Sequence, residues 1–337
     1  MKNILVTGGA GYIGSHTVVE LIQAGMRPVI LDTFENSDKS VLSGIKAITG
    51  QDVTLYNGSY TNADLVREVL TKEAIDGVIH FAAYKYVGES VEQPLLYYQN
   101  NVSGFVSLLE VLLANHIDTC VFSSSAAVYG NPPSSTVTEE APISPESPYG
   151  WSKYMDEIVL RDTCAATPAL KGIALRYFNV VGSHESALIG ESPKVKPQNL
   201  LPLVVLAASG KIPQLTVHGT DYPTADGTCE RDYIHVVDLA KAHVAAMQKS
   251  LDTPSAGYKV YNVSTGQPTS VLGLIKTFEK VTGVKVPYEL GPRRAGDPIA
   301  YYATAEKIQK ELGWKAEKTP QQACADAWRW QQYIARH

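Results

Sequence analysis

Cysteine is scarce in this chain: four in 337 residues, at positions 120, 164, 229 and 324. No two form a Cys-x-x-Cys pair and no histidine stands near them at ligand spacing. That argues against a zinc site or a disulfide framework, so no metal is expected, and the four read as small packed side chains. Long apolar runs are also missing. Nowhere do eighteen apolar residues follow one another, so no membrane span is expected. The start, Met1 to Val6, runs straight into a strand pattern without a signal-peptide cleavage site, and the expected location is the cytoplasm. Charge is sparse at 19% of residues, and a net charge of -5 provides no basic surface, which argues against nucleic acid as a partner. Internal repeats and low-complexity tracts are absent. What remains is an ordinary globular composition, 45% apolar, on a chain long enough for an α/β core and a smaller second domain.

The first half alternates short apolar runs with helical periodicity. Residues 4–6, 29–31, 78–81, 120–123 and 173–177 read as buried strands, and 16–24, 63–73, 96–115 and 149–165 as helices. Strands alternating with helices predict an α/β fold, a Rossmann-type doubly wound parallel sheet. After Phe178 the pattern loosens. Residues 183–198 read as a loop or lid and 221–229 as a polar loop; 199–209, 236–250, 271–282, 305–312 and 321–334 read as helices, and 215–217 and 259–263 as strands. The expected division is a dinucleotide-binding domain over 1–179 and a smaller α+β substrate domain over 180–337, with 236–263 returning to the first sheet.

Two motifs carry chemistry. Thr7-Gly-Gly-Ala-Gly-Tyr-Ile-Gly14 follows a strand and opens a helix, and contains both Gly-x-Gly-x-x-Gly and Gly-x-x-Gly-x-x-Gly. Glycines at 8, 11 and 14 allow a tight turn and close approach of backbone to a pyrophosphate facing the helix N-terminus. Asp32 ends the next strand, where a carboxylate accepts hydrogen bonds from an adenosine ribose and repels a 2′-phosphate, favouring NAD over NADP. The second motif is Tyr149-x-x-x-Lys153. Residues four apart share a helix face, and a nearby ammonium lowers the phenol from its ordinary value near 10 towards a usable base. Together the motifs predict redox chemistry at an alcohol or sugar carbon.

At this point the chain resembles the extended short-chain dehydrogenase/reductase family, and within it the UDP-sugar 4-epimerases, over essentially its whole length. The landmarks are Val6 to His16, Val78-Ile-His-Phe-Ala82, Val87-Gly-Glu-Ser90, Phe122-Ser-Ser-Ser125, Ser147-Pro-Tyr-Gly150, Leu175-Arg-Tyr-Phe-Asn179, Asp221 to Gly227 and Arg231-Asp-Tyr-Ile-His-Val236. The resemblance implies reversible C4 epimerisation of UDP-glucose and UDP-galactose through a 4-ketose, with tightly held NAD, in galactose metabolism, by a homodimer built on helices 96–115 and 149–165. It makes Tyr149 the base, Lys153 the residue that holds the nicotinamide ribose and lowers the phenol, and Ser125 the partner of the sugar 4-hydroxyl. It puts Gly8, Gly11, Tyr12, Ile13, Gly14, Asp32, Asn36, Ser37, Ser59, Tyr60, Phe81, Ala82, Lys85, Asn100 and Phe178 on NAD. Lys85, Tyr177, Asn179, Asn199, Leu200, Thr216, His218, Arg231, Arg294 and Asp297 fall on the UDP-sugar, and Tyr301 walls the hexose pocket where a smaller residue would admit an N-acetyl group.

The chain departs from that pattern in three places. Ser59-Tyr60 replaces an Asp-Ile or Asp-Leu pair at the adenine, His218 replaces a phenylalanine at the uracil, and Val180 replaces a proline. Two other readings stand beside the epimerase. A sugar-nucleotide 4,6-dehydratase begins with the same hydride transfer but needs an acid after the hydroxyl residue, where this chain has Ala126-Ala127. A non-catalytic NAD-binding regulator could keep the fold, though it would have no need of Ser125, Tyr149 and Lys153 together.

Overall fold

Strand β1 (Asn3–Thr7) is buried along all but its first residue, as a central parallel strand covered on both faces must be. The computed structural model describes residues 1–337 apart from 133, 193, 195–196, 255, 295–297 and 337. After β1 come α1 (Tyr12–Gln23), β2 (Arg27–Asp32), α2 (Ser40–Thr49), β3 (Thr54–Asn57), α3 (Ala63–Lys72) and β4 (Gly77–His80). Next are α4 (Val87–Glu92), α5 (Pro94–Tyr97), a π-helical turn (Tyr98–Ser103), α6 (Gly104–Ala114), β5 (Thr119–Ser123) and a 3₁₀ turn (Ala126–Tyr129). The middle holds β6 (Thr136–Val137), α7 (Pro148–Ala166), β7 (Lys171–Tyr177), β8 (Asn179–Val181), α8 (Leu200–Ala208) and β9 (Leu215–His218). The remainder is β10 (Glu230–His235), α9 (Val236–Asp252), β11 (Gly257–Val263), β12 (Pro268–Ser270), α10 (Val271–Thr282), β13 (Tyr288–Gly291), β14 (Ala300–Ala303), α11 (Glu306–Leu312) and α12 (Pro320–Ile334).

Seven parallel strands form the main sheet in the order β11-β7-β5-β4-β1-β2-β3. The chain winds outward in one direction through β2 and β3, then in the other from β4. The order therefore reverses between β1 and β4, and the crevice beyond their carboxyl ends is where such sheets bind ligands. One apolar layer, with Val18, Val19 and Leu239, lies on the face covered by α1 and α9. A second, with Val66, Leu108, Leu112 and Leu160, lies under α3, α6 and α7. The smaller part has its own core around Val204, Tyr233, Leu274 and Phe278. Its strands β12-β10-β14-β6, with β8 on β10, form a mixed sheet, since β12 runs antiparallel and β14 parallel to β10.

Strand β11 pairs with β7 along seven residues, so 257–263 rejoin the first sheet as its edge. Strand β6, drawn from before residue 179, goes the other way and pairs with β14. Residues 33–57, to which the sequence pattern assigned no element, form α2 and β3. Strand β3 is a half-buried edge of four residues, too short and too polar for a periodicity signal. The single helix read over 96–115 is three pieces, with the π turn in its middle. That turn is held by Asn101, whose side-chain oxygen accepts from the Tyr84 N–H at 2.9 Å and whose amide donates to Ser152 Oγ at 3.0 Å. An inserted residue of this kind is common at functional sites.

Candidate active site and dinucleotide cavity

The glycine loop leaves β1 and bends sharply at Gly8, whose φ is +72°. A Cβ at Gly8 would meet Ala82 N at 2.9 Å, and one at Gly14 would lie 2.2 Å from Gly8 O, so neither position admits a side chain. Gly11 caps α1 without any side-chain hydrogen bond, and the first turn carries no acidic residue. The first N–H groups of α1 are thus left for an anionic ligand. Asp32, at the end of β2, accepts from Ala10 N at 3.0 Å through one oxygen, and from Phe34 N at 2.8 Å and Ser37 Oγ at 3.1 Å through the other. The carboxylate is fixed at the rim of the glycine loop.

These residues border a cavity of about 1030 Å³, at the scale of a dinucleotide site. Gly8, Gly11, Tyr12, Ile13, Gly14, Asp32, Asn36, Ser37, Ser59, Tyr60, Phe81, Ala82, Lys85, Asn100, Tyr149, Lys153 and Tyr177 all line it. Free helix N–H groups, a Cβ-free cradle and a carboxylate beyond it are the features that an NAD pyrophosphate and ribose require, and the residues fit that cofactor. Phe178 is outside the lining; its ring packs edge-on against Tyr301 at 5.0 Å. Tyr60 contributes a wall, but its phenol donates to Asn100 O at 2.5 Å and its ring lies against His80, while Ser59 bonds Thr61 at 2.7 Å. Neither side chain reproduces a free carboxylate.

Other residues on this cavity have no motif that could have flagged them. Glu191 lies 3.7 Å from Lys85, and Lys194 donates to Phe34 O at 2.6 Å. Burial pushes the Glu191 carboxyl up, against the pull of Lys85. Trp330, Tyr333 and Ile334 of α12 also line the cavity, and the Trp330 indole donates to Glu191 O at 2.8 Å. The low-periodicity segment 183–198 was the one sequence signal for this wall.

Tyr149 and Lys153 also line this cavity, while Ser125 is outside the lining, at the start of the 3₁₀ turn that follows β5. Ser147 caps α7 by accepting from Gly150 N at 3.1 Å, and Pro148 begins the helix, so Tyr149 enters in its first turn. Burial raises the Tyr149 phenol, and a hydrogen bond from Ser125 pulls it down. Ser125 Oγ accepts from Ala127 N at 3.1 Å. Lys153 is turned elsewhere. Its ammonium donates to Ser123 O at 2.9 Å and sits 4.8 Å over the Phe122 ring, and burial lowers its pKa to about 8, partly offset by Asp156 and Glu157.

The residues expected at a UDP-sugar lie on the smaller sheet and around it. Asn179 on β8 is in register with Tyr233, and Arg231 pairs with Tyr301 across β10 and β14, so all three stand on adjoining strands. The Tyr301 phenol donates to Ala126 O at 2.5 Å, one residue from Ser125. Arg231 donates to Glu230 O at 2.8 Å and Pro298 O at 3.0 Å. Thr216 and His218 on β9 are engaged with the neighbouring segment, through Glu289 at 3.1 Å and Pro292 O at 3.2 Å. Asn199 and Leu200 open α8, and Arg294 is exposed. Asp297 lies outside the described residues. None of these eight described residues borders the dinucleotide cavity.

The fold and this geometry agree with what the chain resembles. Residues 4–264 match the model of the NAD dependent epimerase/dehydratase family, and the chain belongs to that family. More particularly, it is 49% identical over 331 residues to the UDP-glucose 4-epimerase of Neisseria meningitidis serogroup A, covering 98% of this chain and 97% of that one. Among solved structures, UDP-glucose-4-epimerase from Stenotrophomonas maltophila with bound NAD and formylated UDP-arabinopyranose superposes with a TM-score of 0.97 at 46% identity, over 100% of this chain and 99% of that one. The Bifidobacterium longum UDP-glucose 4-epimerase in complex with NAD+ and UDP does so with a TM-score of 0.93 at 45% identity, over 99% of each chain.

Proposed function

We propose that this chain interconverts UDP-glucose and UDP-galactose by inverting C4, with NAD held through the cycle, and that it serves galactose metabolism in the cytoplasm. The observation that carries the reading is that Tyr149 and Lys153, one turn apart on α7, stand on the wall of the cavity bordered by the glycine loop and Asp32. NAD+, when bound, supplies the acceptor for the C4 hydride and afterwards the donor that restores it. Asp32 holds the adenosine ribose, the α1 N-terminus faces the pyrophosphate, and Lys153 holds the nicotinamide ribose. Tyr149 takes the proton of the 4-hydroxyl and returns it, and Ser125 bonds the same oxygen and steadies the phenolate. Asn179, Asn199, Leu200, Arg231 and Arg294 grip UDP, with His218 beside the uracil, while the hexose is held loosely enough to present its other face.

The dehydratase reading is disfavoured by Ala126 and Ala127. They form the 3₁₀ turn after Ser125, and no acid stands there to expel a C6 hydroxyl. A homodimer is supported by exposed apolar side chains gathered on α4–α7. Val91, Leu95 and Trp151 are 63%, 79% and 41% exposed, and Val87, Leu96, Val106 and Met155 accompany them. The test is incubation of the purified protein with UDP-galactose and identification of the product. UDP-glucose is expected; an unchanged substrate or a 4-keto-6-deoxy product would reject the reading.

A further inference from the structure

Helix α7 holds the end of β5 and the residue after it with side chains that share one face. Tyr149, Lys153 and Glu157 are spaced four apart, and consecutive members are neighbours on a helix surface. Lys153 holds the Ser123 carbonyl at 2.9 Å, Glu157 Oε1 accepts from Ser124 Oγ at 2.5 Å, and beside Tyr149 the helix packs on the turn after Ser125 so closely that a Cβ on Gly150 would lie 2.8 Å from Ala127 O. Tyr149 and Lys153 belong to the site already described. Glu157 is the unassigned one, and it is buried.

Glu157 is itself fixed from two further strands. From β7, Arg176 donates to it through Nε at 2.9 Å and through its terminal nitrogen at 2.5 Å, and from β11 the Tyr258 phenol donates at 3.3 Å. Arg176 reaches on to the Tyr129 phenol at 3.0 Å, and that phenol donates to Asn262 at 2.7 Å, so the far end of the 3₁₀ turn after Ser125 is tied to the same network. Stability alone gives no reason for such a pair, because burying two charges costs about as much as their attraction returns. A carboxylate with acceptor sites for several donors, aimed at the residue before Ser125, does give one.

We propose that Glu157, held by Arg176, is a positioning residue for the reaction: it clamps Ser124 so that the adjoining Ser125 hydroxyl is presented to Tyr149. A backbone shift at Ser124 is passed directly to Ser125 and, through Ala126 O, to the Tyr301 wall. Lys153, Asp156 and Arg161 are the charged groups of α7 around Glu157, and Tyr97 and Tyr177 act on Tyr149 from α5 and β7.

The inference rests on the epimerase reading, and its test separates the two. Ser124→Ala removes one hydroxyl and leaves the Glu157–Arg176 pair closed, so it is the variant that folds. Glu157→Gln keeps an oxygen acceptor but opens the pair, and is judged alongside its melting temperature. In each, ionisation of Tyr149 is followed by ultraviolet difference absorbance against the same protein carrying Tyr149→Phe, a readout that needs no turnover. A loosened Ser125 bond moves the phenol midpoint to higher pH, and kcat for UDP-galactose falls on the order of tenfold at unchanged KM. Ser124→Thr, which returns the hydroxyl, restores both. A wild-type midpoint and kcat in Ser124→Ala, or a lowered melting temperature with the midpoint unmoved, overturns the positioning role and leaves the epimerase reading standing. If the wild type itself fails to convert UDP-galactose, the epimerase reading falls, and the Tyr149 midpoint still decides whether Glu157 positions Ser125.

Discussion

Tyr149 is buried and its phenol is raised above its ordinary value, so as it stands it is a reluctant base. Ser125 works against that burial, and the positive charge of bound NAD+ would lower the phenol further. The phenol oxygen is the only atom lost in Tyr149→Phe, while the ring and its packing remain. That variant should keep its NAD and lose about 10²–10⁴-fold in kcat; near-native turnover would remove Tyr149 from the role of base. Tyr301 is the second residue whose effect can be stated ahead of measurement. Its ring lies against Phe178 and its phenol is anchored on Ala126 O, so it cannot swing aside without losing both contacts. An added acetamido group would overpack such a wall at about 1–3 kcal/mol, which is roughly 10–100-fold in specificity. The wild type should therefore act well on UDP-glucose and poorly on UDP-N-acetylglucosamine, and Tyr301→Cys should narrow the gap. Equal rates on the two substrates in the wild type would show that Tyr301 only packs between the two sheets.

Elements as well as residues are placed by identifiable local chemistry. Helix α7 starts where it does because Ser147 and Pro148 satisfy and shape its first turn, and that start sets the phase bringing Tyr149, Lys153 and Glu157 to one face. Helix α1 starts on the opposite principle: its first turn is bare of side-chain caps so that a ligand can serve as the cap. Gly14 belongs to this arrangement because its Cβ would fall 2.2 Å from a backbone oxygen that has no free rotamer with which to yield. Gly14→Ala should emerge from purification with much less NAD, read as absorbance at 260 nm relative to 280 nm, and with a lower melting temperature. Full NAD content in that variant would mean that the loop can widen. The π turn at Tyr98–Ser103 is the element least visible beforehand. Apolar spacing continues through it as though the helix were regular, and only the bonds of Asn101 to the Tyr84 segment and to Ser152 mark it.

For the molecule as a whole, the deciding feature is the reversal of strand order between β1 and β4, which opens the crevice where the glycine loop, Asp32 and the Phe81–Lys85 segment meet. No helix among the described residues is long and apolar enough to cross a membrane. In the proposed homodimer, the exposed apolar side chains of α4–α7 would be covered by the same surface of a second copy. Leu95 is the most exposed of these side chains apart from that of Met1 at the terminus. Placing a carboxylate there with Leu95→Asp should shift the sedimenting species from dimer to monomer while the isolated chain stays folded. A wild type that sediments as a monomer would dispose of the dimer.

Much of this was already written in the chain. Thr7 to Gly14 and Asp32 announce a dinucleotide site because the turn and the ribose contact depend on residues close in sequence. The alternation of strands and helices over the first 180 residues announces the sheet for the same reason. Tyr149 and Lys153 could be paired from spacing alone, since helical geometry makes residues four apart neighbours. What sequence left open was everything that depends on distant segments meeting. Only the folded chain brings Trp330 and Tyr333 of α12 to the cavity wall, sends β6 to pair with β14, moves Phe178 off the cavity onto Tyr301, and turns Lys153 towards Ser123. Those outcomes follow from packing between residues tens to hundreds of positions apart, and local periodicity carries no record of them.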